Sequence, residues 1–379
     1  MSHRPASGGP LGVPEGPLPA GSALSSPVID LPQIHALALP TPWPVGPVQV
    51  YLIESEPLTL VDTGVRSRDS WDALVGGLEA LGYAPGDLRR VILTHYHADH
   101  LGQAESLRRS GATLEVLCHE QEVELVEGFS VERDENIEDT LALFREHGVP
   151  EDVLAAQRRR LLSFLEDDPL CEPTRVDRAV RDGERVAFKD LELEVLHAPG
   201  HTRGHLLLHH AGAGVLVTGD HVMGEMVPAT TTCYTGPLPE PGDPLRRRPR
   251  FRGLPAYLRS LRRLRGSALR VLLPAHGGLI AHPARALDDA LLFYEVRIQR
   301  AWRALLRRAR SGAPVTAWEL FLELFPRVDP VTQGRNRLLM VIGILDVLAE
   351  EGRLEALRDG ARLVHRPVAD RPEQTPSPR

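Results

Sequence analysis

The sequence predicts an α/β fold with a helical insertion and a smaller helical unit at the carboxyl end, on three observations. Short β-type runs alternate with amphipathic helices through the first two-thirds of the chain; residues from about 119 to 173 interrupt them with acidic, helix-forming sequence; and from Pro283 onward helical periodicity replaces strand signals. Composition agrees. With 379 residues, 42% hydrophobic and 25% charged, the chain is ordinary for a globular protein and long enough for two or three folded units. No apolar run of about 20 residues could span a bilayer, and the amino terminus lacks the apolar centre of a signal peptide, so the expected location is the cytoplasm. Cys118, Cys171 and Cys233 lie far apart with no CxxC spacing, which argues against a disulfide framework and a cysteine-based zinc site.

Taken in order, residues 1 to about 27 are rich in Pro, Gly and Ser and are expected to be a disordered leader. Val48 to Ile53 and Leu58 to Val61 read as strands, the second closed by the turn signal Asp62-Thr63-Gly64. Trp71, Leu74, Val75, Leu78 and Leu81 recur at helical spacing, and Val91 to Thr94 is another strand. The insertion contributes helices over Ile137 to His147 and Pro150 to Glu166. Val186 to Phe188, Leu191 to Leu196, Leu206 to His210 and Val215 to Thr218 resume the strands. The segment from Gly219 to Pro255 is a long Pro- and Gly-rich loop, a length more often functional than idle. Leu254, Tyr257, Leu258, Leu261 and Leu264 mark the buried side of a helix, and Val271 to Leu273 a last strand. This main unit spans 28–283.

The unit over 284–367 reads as three helices, the second capped by Thr316 before Ala317 to Phe325 and the third over Leu338 to Glu350, followed by a hairpin turning at Asp359-Gly360. Three helices and a hairpin suggest a winged-helix-like unit. Residues 368–379 are expected to be a disordered tail.

Charge is uneven. The stretch from Arg246 to Arg310 has a local balance of +14, so the remainder carries −21 against a net charge of −7. Solvated helix faces account for such a run; attraction of an anionic substrate is the sharper reading.

The decisive stretch is Thr94-His95-Tyr96-His97-Ala98-Asp99-His100-Leu101-Gly102. Four candidate metal ligands fall within six residues, just after a strand and just before a helix expected near Leu101. His95 and His97 project to one side of extended chain, while Asp99 and His100 can face a neighbouring position. Three further strand ends carry ligand-type residues: Ala198-Pro199-Gly200-His201-Thr202, Thr218-Gly219-Asp220-His221 and Pro274-Ala275-His276-Gly277. Imidazole suits zinc or iron and carboxylate tolerates harder ions, so the donors alone do not select the element.

His-x-His-x-Asp-His followed by Pro-Gly-His-Thr, Gly-Asp and Pro-Ala-His-Gly resembles the metallo-β-lactamase superfamily over roughly residues 28 to 283, and the early Asp62-Thr63-Gly64 fits the same pattern. The resemblance implies an αββα sandwich with a metal centre at one edge of the paired sheets. It assigns His95, His97 and His201 to one divalent ion, Asp99, His100 and His276 to a second, and Asp220 to both, with zinc first and iron or manganese as alternatives. Antibiotic hydrolysis is not what it favours, because true β-lactamases of the superfamily typically lack some of these ligands, notably the bridging aspartate. The nearer likeness is to glyoxalase II-like thioesterases and lactamase-like proteins with a carboxyl-terminal winged helix, some of them ribonucleases.

Such a centre implies a metal-dependent hydrolase whose nucleophile is a hydroxide bridging the two ions. By the same resemblance Asp99 both holds metal and orients the attacking water. Asp62 is expected to accept a hydrogen bond from a ligand histidine or to cap its turn, and His205 either supports the site or simply packs in its strand. Met226, Tyr234, Phe129 and Phe144 are candidates for the pocket lining. The expected substrate is a small anionic acyl compound, a thioester or related ester. The alternative is a phosphodiesterase acting on single-stranded RNA, although stacking aromatics are few at 5% aromatic content. A DNA-reading role is not expected, because Leu338 to Glu350 is apolar and acidic apart from Arg335 and Arg337 near its start. That unit reads instead as a packing or homodimer-forming cap, with no membrane partner.

Overall fold

The computed structural model describes residues 22–23, 31–111, 113–163, 170–224, 226–310 and 314–368. From the amino end, β1 (Ser22–Ala23), β2 (Ile34–Leu39), β3 (Val48–Ile53) and β4 (Thr59–Val61) pair antiparallel in that order. After α1 (Arg68–Ala80), β5 (Arg90–Ile92) adds parallel to β4. Two short helices, α2 (Ala98–Leu101) and α3 (Ala104–Arg109), lead to β6 (Glu115–His119), again parallel. The insertion is α4 (Val123–Glu127), α5 (Phe129–Glu146) and α6 (Glu151–Ser163), after which β7 (Arg178–Val180) completes a seven-stranded sheet. The second sheet starts as a meander of β8 (Arg185–Ala187), β9 (Glu192–His197), β10 (Leu206–His210) and β11 (Val215–Gly219). A small antiparallel pair, β12 (Thr232–Tyr234) with β13 (Arg250–Arg252), precedes α7 (Gly253–Arg265), and β14 (Val271–Pro274) then joins β11 in parallel. The chain closes with α8 (Pro283–Ala309), α9 (Ala317–Leu324), α10 (Gly334–Glu350), β15 (Leu354–Asp359) and β16 (Arg362–Pro367).

Side-chain alternation explains the layering. Val61, Ile92 and Leu117 of the first sheet meet Leu206, Leu208, Val215, Val217, Val271 and Leu273 of the second in one apolar cluster. Their strand neighbours Leu60, Val91 and Val116 point the other way, onto Leu74 and Leu78 of α1 and Leu107 of α3. Leu207, Leu216 and Leu272 likewise face outward onto α7 and α8. Both faces of each sheet are covered, which is why these strands read as unbroken apolar runs. The result is the αββα sandwich that the resemblance implied, with four parallel strand pairs, three in the first sheet and one in the second.

The carboxyl-terminal elements share a core with the main unit. Leu287, Tyr294 and Ile298 of α8, Phe321 of α9 and Leu338, Ile342 and Leu345 of α10 cluster with Leu254, Tyr257 and Leu261 of α7 and with Phe144 and Leu154 of the insertion. Thr316 caps α9 as expected, its side chain accepting from the Glu319 N–H. The hairpin turns one residue later than the Asp-Gly signal indicated: Asp359 pairs with Arg362, leaving Gly360-Ala361 as the loop. Only Gly360 has positive φ, the requirement for the first position of a type II′ turn.

Several elements differ from the sequence reading. β2, β6 and β7 carry no strand assignment there, and the loop after β11 is not structureless, since it holds the antiparallel pair β12 and β13. Asp99 and His100 lie within the short helix α2, which ends at Leu101 where a helix was expected to begin, and the following helix starts at Ala104. The expected leader lies outside the described residues except Ser22–Ala23 in β1, as does the tail beyond Val368. No helix among the described residues is long and apolar enough to cross a membrane.

Candidate metal centre

Five segments converge at the edge where the parallel strands end. β4 runs into Asp62, β5 leads into the stretch 94–100, the β9–β10 turn carries His201, Asp220 follows directly on β11 and His276 lies two residues beyond β14. An isolated bridge between Val48 and His276 ties the two sheets together at this edge. The Asp62-Thr63-Gly64 turn is bonded directly to the histidine stretch: the Thr63 N–H and its hydroxyl both donate to the His100 carbonyl at 2.8 Å. Gly64 adopts φ 79° and a Cβ there would meet Leu39 at 2.6 Å, so the turn requires glycine twice over.

All seven expected donors come together, in two groups. His95, His97, His201 and Asp220 form one; Asp99, His100 and His276 form the other; within each the candidate atoms lie within 4.8 Å. In the first, Nε2 of His95 and Nε2 of His201 approach Nδ1 of His97 to 2.9 and 3.0 Å. In the second, Asp99 Oδ2 is 3.2 Å from His276 Nε2 and Oδ1 is 3.7 Å from His100 Nε2. Asp220 faces both groups: Oδ2 is 3.5 Å from His201 Nε2, while Oδ1 is 3.5 Å from His100 Nε2 and 3.6 Å from His276 Nε2.

The groups behind the donors aim them inward. His201 directs Nδ1 at the Ala229 carbonyl (2.8 Å) and His276 directs Nδ1 at the Pro47 carbonyl (3.1 Å). A carbonyl only accepts, so each Nδ1 carries the proton and each Nε2 presents a lone pair to the centre. Asp62 does the same for His100, 2.8 Å from its Nδ1, and also accepts from the Thr94 N–H and hydroxyl, both at 2.8 Å. Thr94 Oγ1 in turn stands 3.1 Å from His95 Nδ1. Asp62 is thus both turn residue, at φ 61°, and partner of a donor histidine. His205 stacks on His95 and accepts the Asp220 N–H at 3.2 Å, which fixes the residue shared by the two groups.

This donor set fits divalent ions. His100 Nε2 and Asp220 Oδ1 are buried with no hydrogen-bond partner among the described residues, although each faces the centre. Buried polar atoms are rarely left so unless something else satisfies them. Five imidazole nitrogens and two carboxylates suit zinc, with iron and manganese compatible. Burial, then the neighbouring imidazoles, lowers the pKa of His95; burial and His201 lower that of His97 to about 3; burial lowers that of His201. All three are neutral and ready to ligate near pH 7. Burial opposes protonation of His100 and His276 too, but the carboxylates of Asp62, Asp99 and Asp220 outweigh it at His100, and the hydrogen bond from His276 to Asp99, helped by the charge of Asp220, outweighs it at His276. Burial would raise Asp220, yet His100, then His201 and His276, hold it far below the usual carboxylate range.

A cavity of about 600 Å³ opens onto His97, Asp99, Asp220 and His276. Trp43, Val45, Phe129, Ile137, Leu161 and Met223 give it a largely apolar lining, and Arg335 reaches it from α10. Of the expected lining residues only Phe129 is there. Met226 is 43% exposed and gives way to Met223, Phe144 is packed into the core, and Tyr234 borders a smaller neighbouring pocket and donates to Glu146. No arginine of the 246–310 stretch lines the cavity. Many are paired elsewhere: Arg248 with Asp139, Arg250 with Asp346, Arg263 with Asp182 and Arg265 with Asp288.

Sequence reading missed three contributors. Thr94 lies inside the histidine stretch. Glu122 is fully buried and accepts from the Tyr96 N–H at 2.9 Å and the Gly204 N–H at 2.7 Å, clamping the loops of His95–His97 and His201 together; burial raises its pKa to about 7. Nothing in its local sequence marks it. Arg335 did carry a signal, as a basic exception at the start of an apolar helix.

A family model described as Metallo-beta-lactamase superfamily matches residues 43–276. The chain is 30% identical over 337 residues to the probable metallo-hydrolase YqjP of Bacillus subtilis (strain 168), covering 86% of this chain and 95% of that one. It is 29% identical over 175 residues to the acyl-coenzyme A thioesterase MBLAC2 of Homo sapiens, covering 44% of this chain and 55% of that one. Among solved structures, the metallo-beta-lactamase family protein TTHA1429 from Thermus thermophilus is similar with a TM-score of 0.68 and 28% identity, over 89% of this chain and 99% of that one.

Proposed function

The chain belongs to the metallo-β-lactamase superfamily, and from that premise we propose that it is a hydrolase of thioesters or related esters working with two divalent ions, zinc first. The observation that carries the reading is Asp220, whose two oxygens face two different donor groups at the base of one largely apolar cavity.

His95, His97 and His201 would hold one ion, Asp99, His100 and His276 the other, with Asp220 reaching both. Bound there, divalent ions polarise the scissile carbonyl and lower the pKa of an attacking water. Asp99, 8% exposed and lining the cavity, would orient the attacking water through its carboxylate and take its proton as the oxygen bonds to the carbonyl carbon, then return that proton to the departing sulfur as the carbon–sulfur bond breaks. Trp43, Val45, Ile137 and Met223 receive the apolar part of the acyl compound and exclude bulk water from the reacting carbonyl. The partial likeness to an acyl-coenzyme A thioesterase supports this substrate class.

The test is turnover by ion-loaded protein offered a panel of acyl thioesters and a labelled single-stranded RNA. Thioester cleavage is expected. Cleavage of the RNA alone, falling steeply with salt, would replace this reading by the phosphodiesterase one.

A further inference from the structure

Arg335 is the one arginine or lysine among the described residues lining the cavity, and the hydrolysis described above gives it no task. It sits in the first turn of α10, half-buried, and shares the cavity with His97, Asp99, Asp220 and His276. Among the described residues its guanidinium makes one weak hydrogen bond, Nη1 to Asn336 Oδ1 at 3.4 Å, and no ion pair.

That is a poor position for a structural cation. The amino-terminal end of a helix carries positive partial charge, and α10 has no acidic residue in its first turn to offset it. Desolvating an unpaired charge is unfavourable, and burial duly depresses the guanidinium below its ordinary pKa, with only Tyr96 opposing. The contrast with Arg250 is direct: equally drawn into the protein, it is held by the Asp346 carboxylate through two hydrogen bonds. Arg335 has the donors for a planar two-oxygen anion and no protein carboxylate among the described residues to use them.

We propose that Arg335 is the specificity residue that selects substrates carrying a carboxylate or phosphate away from the bond cleaved, the anion seating on its guanidinium while the apolar portion lies along Val45, Ile137, Leu161 and Met223. The reaction itself rests on the thioester reading; the anion seat does not.

One acyl group is presented on three thiols: coenzyme A with its phosphates, glutathione with its carboxylates, and uncharged N-acetylcysteamine. Wild-type protein should prefer at least one anionic carrier over the uncharged one by tenfold or more, and which one identifies the anion. Arg335→Gln should raise KM for that carrier roughly 10- to 100-fold, leave kcat and ion content unchanged, and leave the uncharged carrier within about twofold; Arg335→Lys should recover part of the loss. Equal loss on charged and uncharged carriers, or no loss, overturns the assignment. Calorimetric binding of free coenzyme A and free glutathione to the ion-loaded protein separates the two claims. If no thioester is cleaved but one of these binds and Arg335→Gln weakens it tenfold or more, the hydrolase reading falls and the anion seat stands. If neither binds, or the variant binds equally well, the anion seat falls.

Discussion

Asp62 accepts from Thr94 twice and stands 2.8 Å from His100 Nδ1, so an amide in its place would turn a donor toward groups that are already donors. Asp62→Asn is expected to cost roughly 10- to 100-fold in ion affinity or kcat/KM while the fold persists, read by elemental analysis, kinetics and circular dichroism together. Asp220→Ala should empty the centre and abolish turnover; a variant with full activity would sink the metal assignment. A different pair is expected to contribute to acid sensitivity. His147 and His365 stack in the core with ring centroids 5.9 Å apart, and none of their four nitrogens has a partner among the described residues. Burial, then Arg250, lowers both pKa values, that of His365 to about 3. Folded imidazoles therefore stay neutral while unfolded ones protonate near 6.5, so stability present above that pH is lost as pH falls toward 3. Substituting His365→Phe should flatten the urea-unfolding free energy by about 1.4 kcal/mol per pH unit between roughly pH 6 and 4, relative to wild type. An unchanged slope would show the pair to be irrelevant. The seven donors were legible because each sits in a short stretch with its own turn residues. Glu122 was not, because the N–H groups it accepts from lie 26 and 82 residues away.

Elements were legible where local chemistry and tertiary environment agree. Val48–Ile53 and Val215–Gly219 are rich in β-branched residues and stand out, whereas Ile34–Leu39 (IHALAL) is made of residues that serve helices equally well and becomes a strand only because β3 pairs along its full length. β7 has three residues and is fixed by β6 rather than by any pattern of its own. In α7 and α10 the close approach is set by a missing side chain: a Cβ on Gly343 would lie 2.7 Å from Leu254 Cβ. Gly343→Val should push these helices apart and destabilise the protein by about 1–3 kcal/mol in denaturant titration. Because α10 also carries Arg335, the same variant should raise KM for a charged thioester more than it lowers ion content; the reverse order would argue that α10 has no hold on the cavity.

Across the whole molecule, the change of pattern near Pro283 signalled a second unit but could not signal its attachment. Tyr294 donates its hydroxyl to the Pro228 carbonyl, and α8, α9 and α10 fill one core with α7 and the insertion. The protein should therefore unfold in a single calorimetric transition, and a chain ending at residue 283 should fail to give a soluble folded product, since it would bare Leu254, Tyr257 and Leu261. Two separate transitions would contradict the shared core. The cavity inherits a division of labour from this arrangement. Its floor comes from strand ends locked by both sheets, but its walls come from four independent pieces: the stretch at Trp43, the insertion helices, the segment at Met223 and the first turn of α10. Any wall can be resurfaced without disturbing the floor, so this scaffold can be redirected to a new molecule by editing one rim segment while its reactive chemistry is kept.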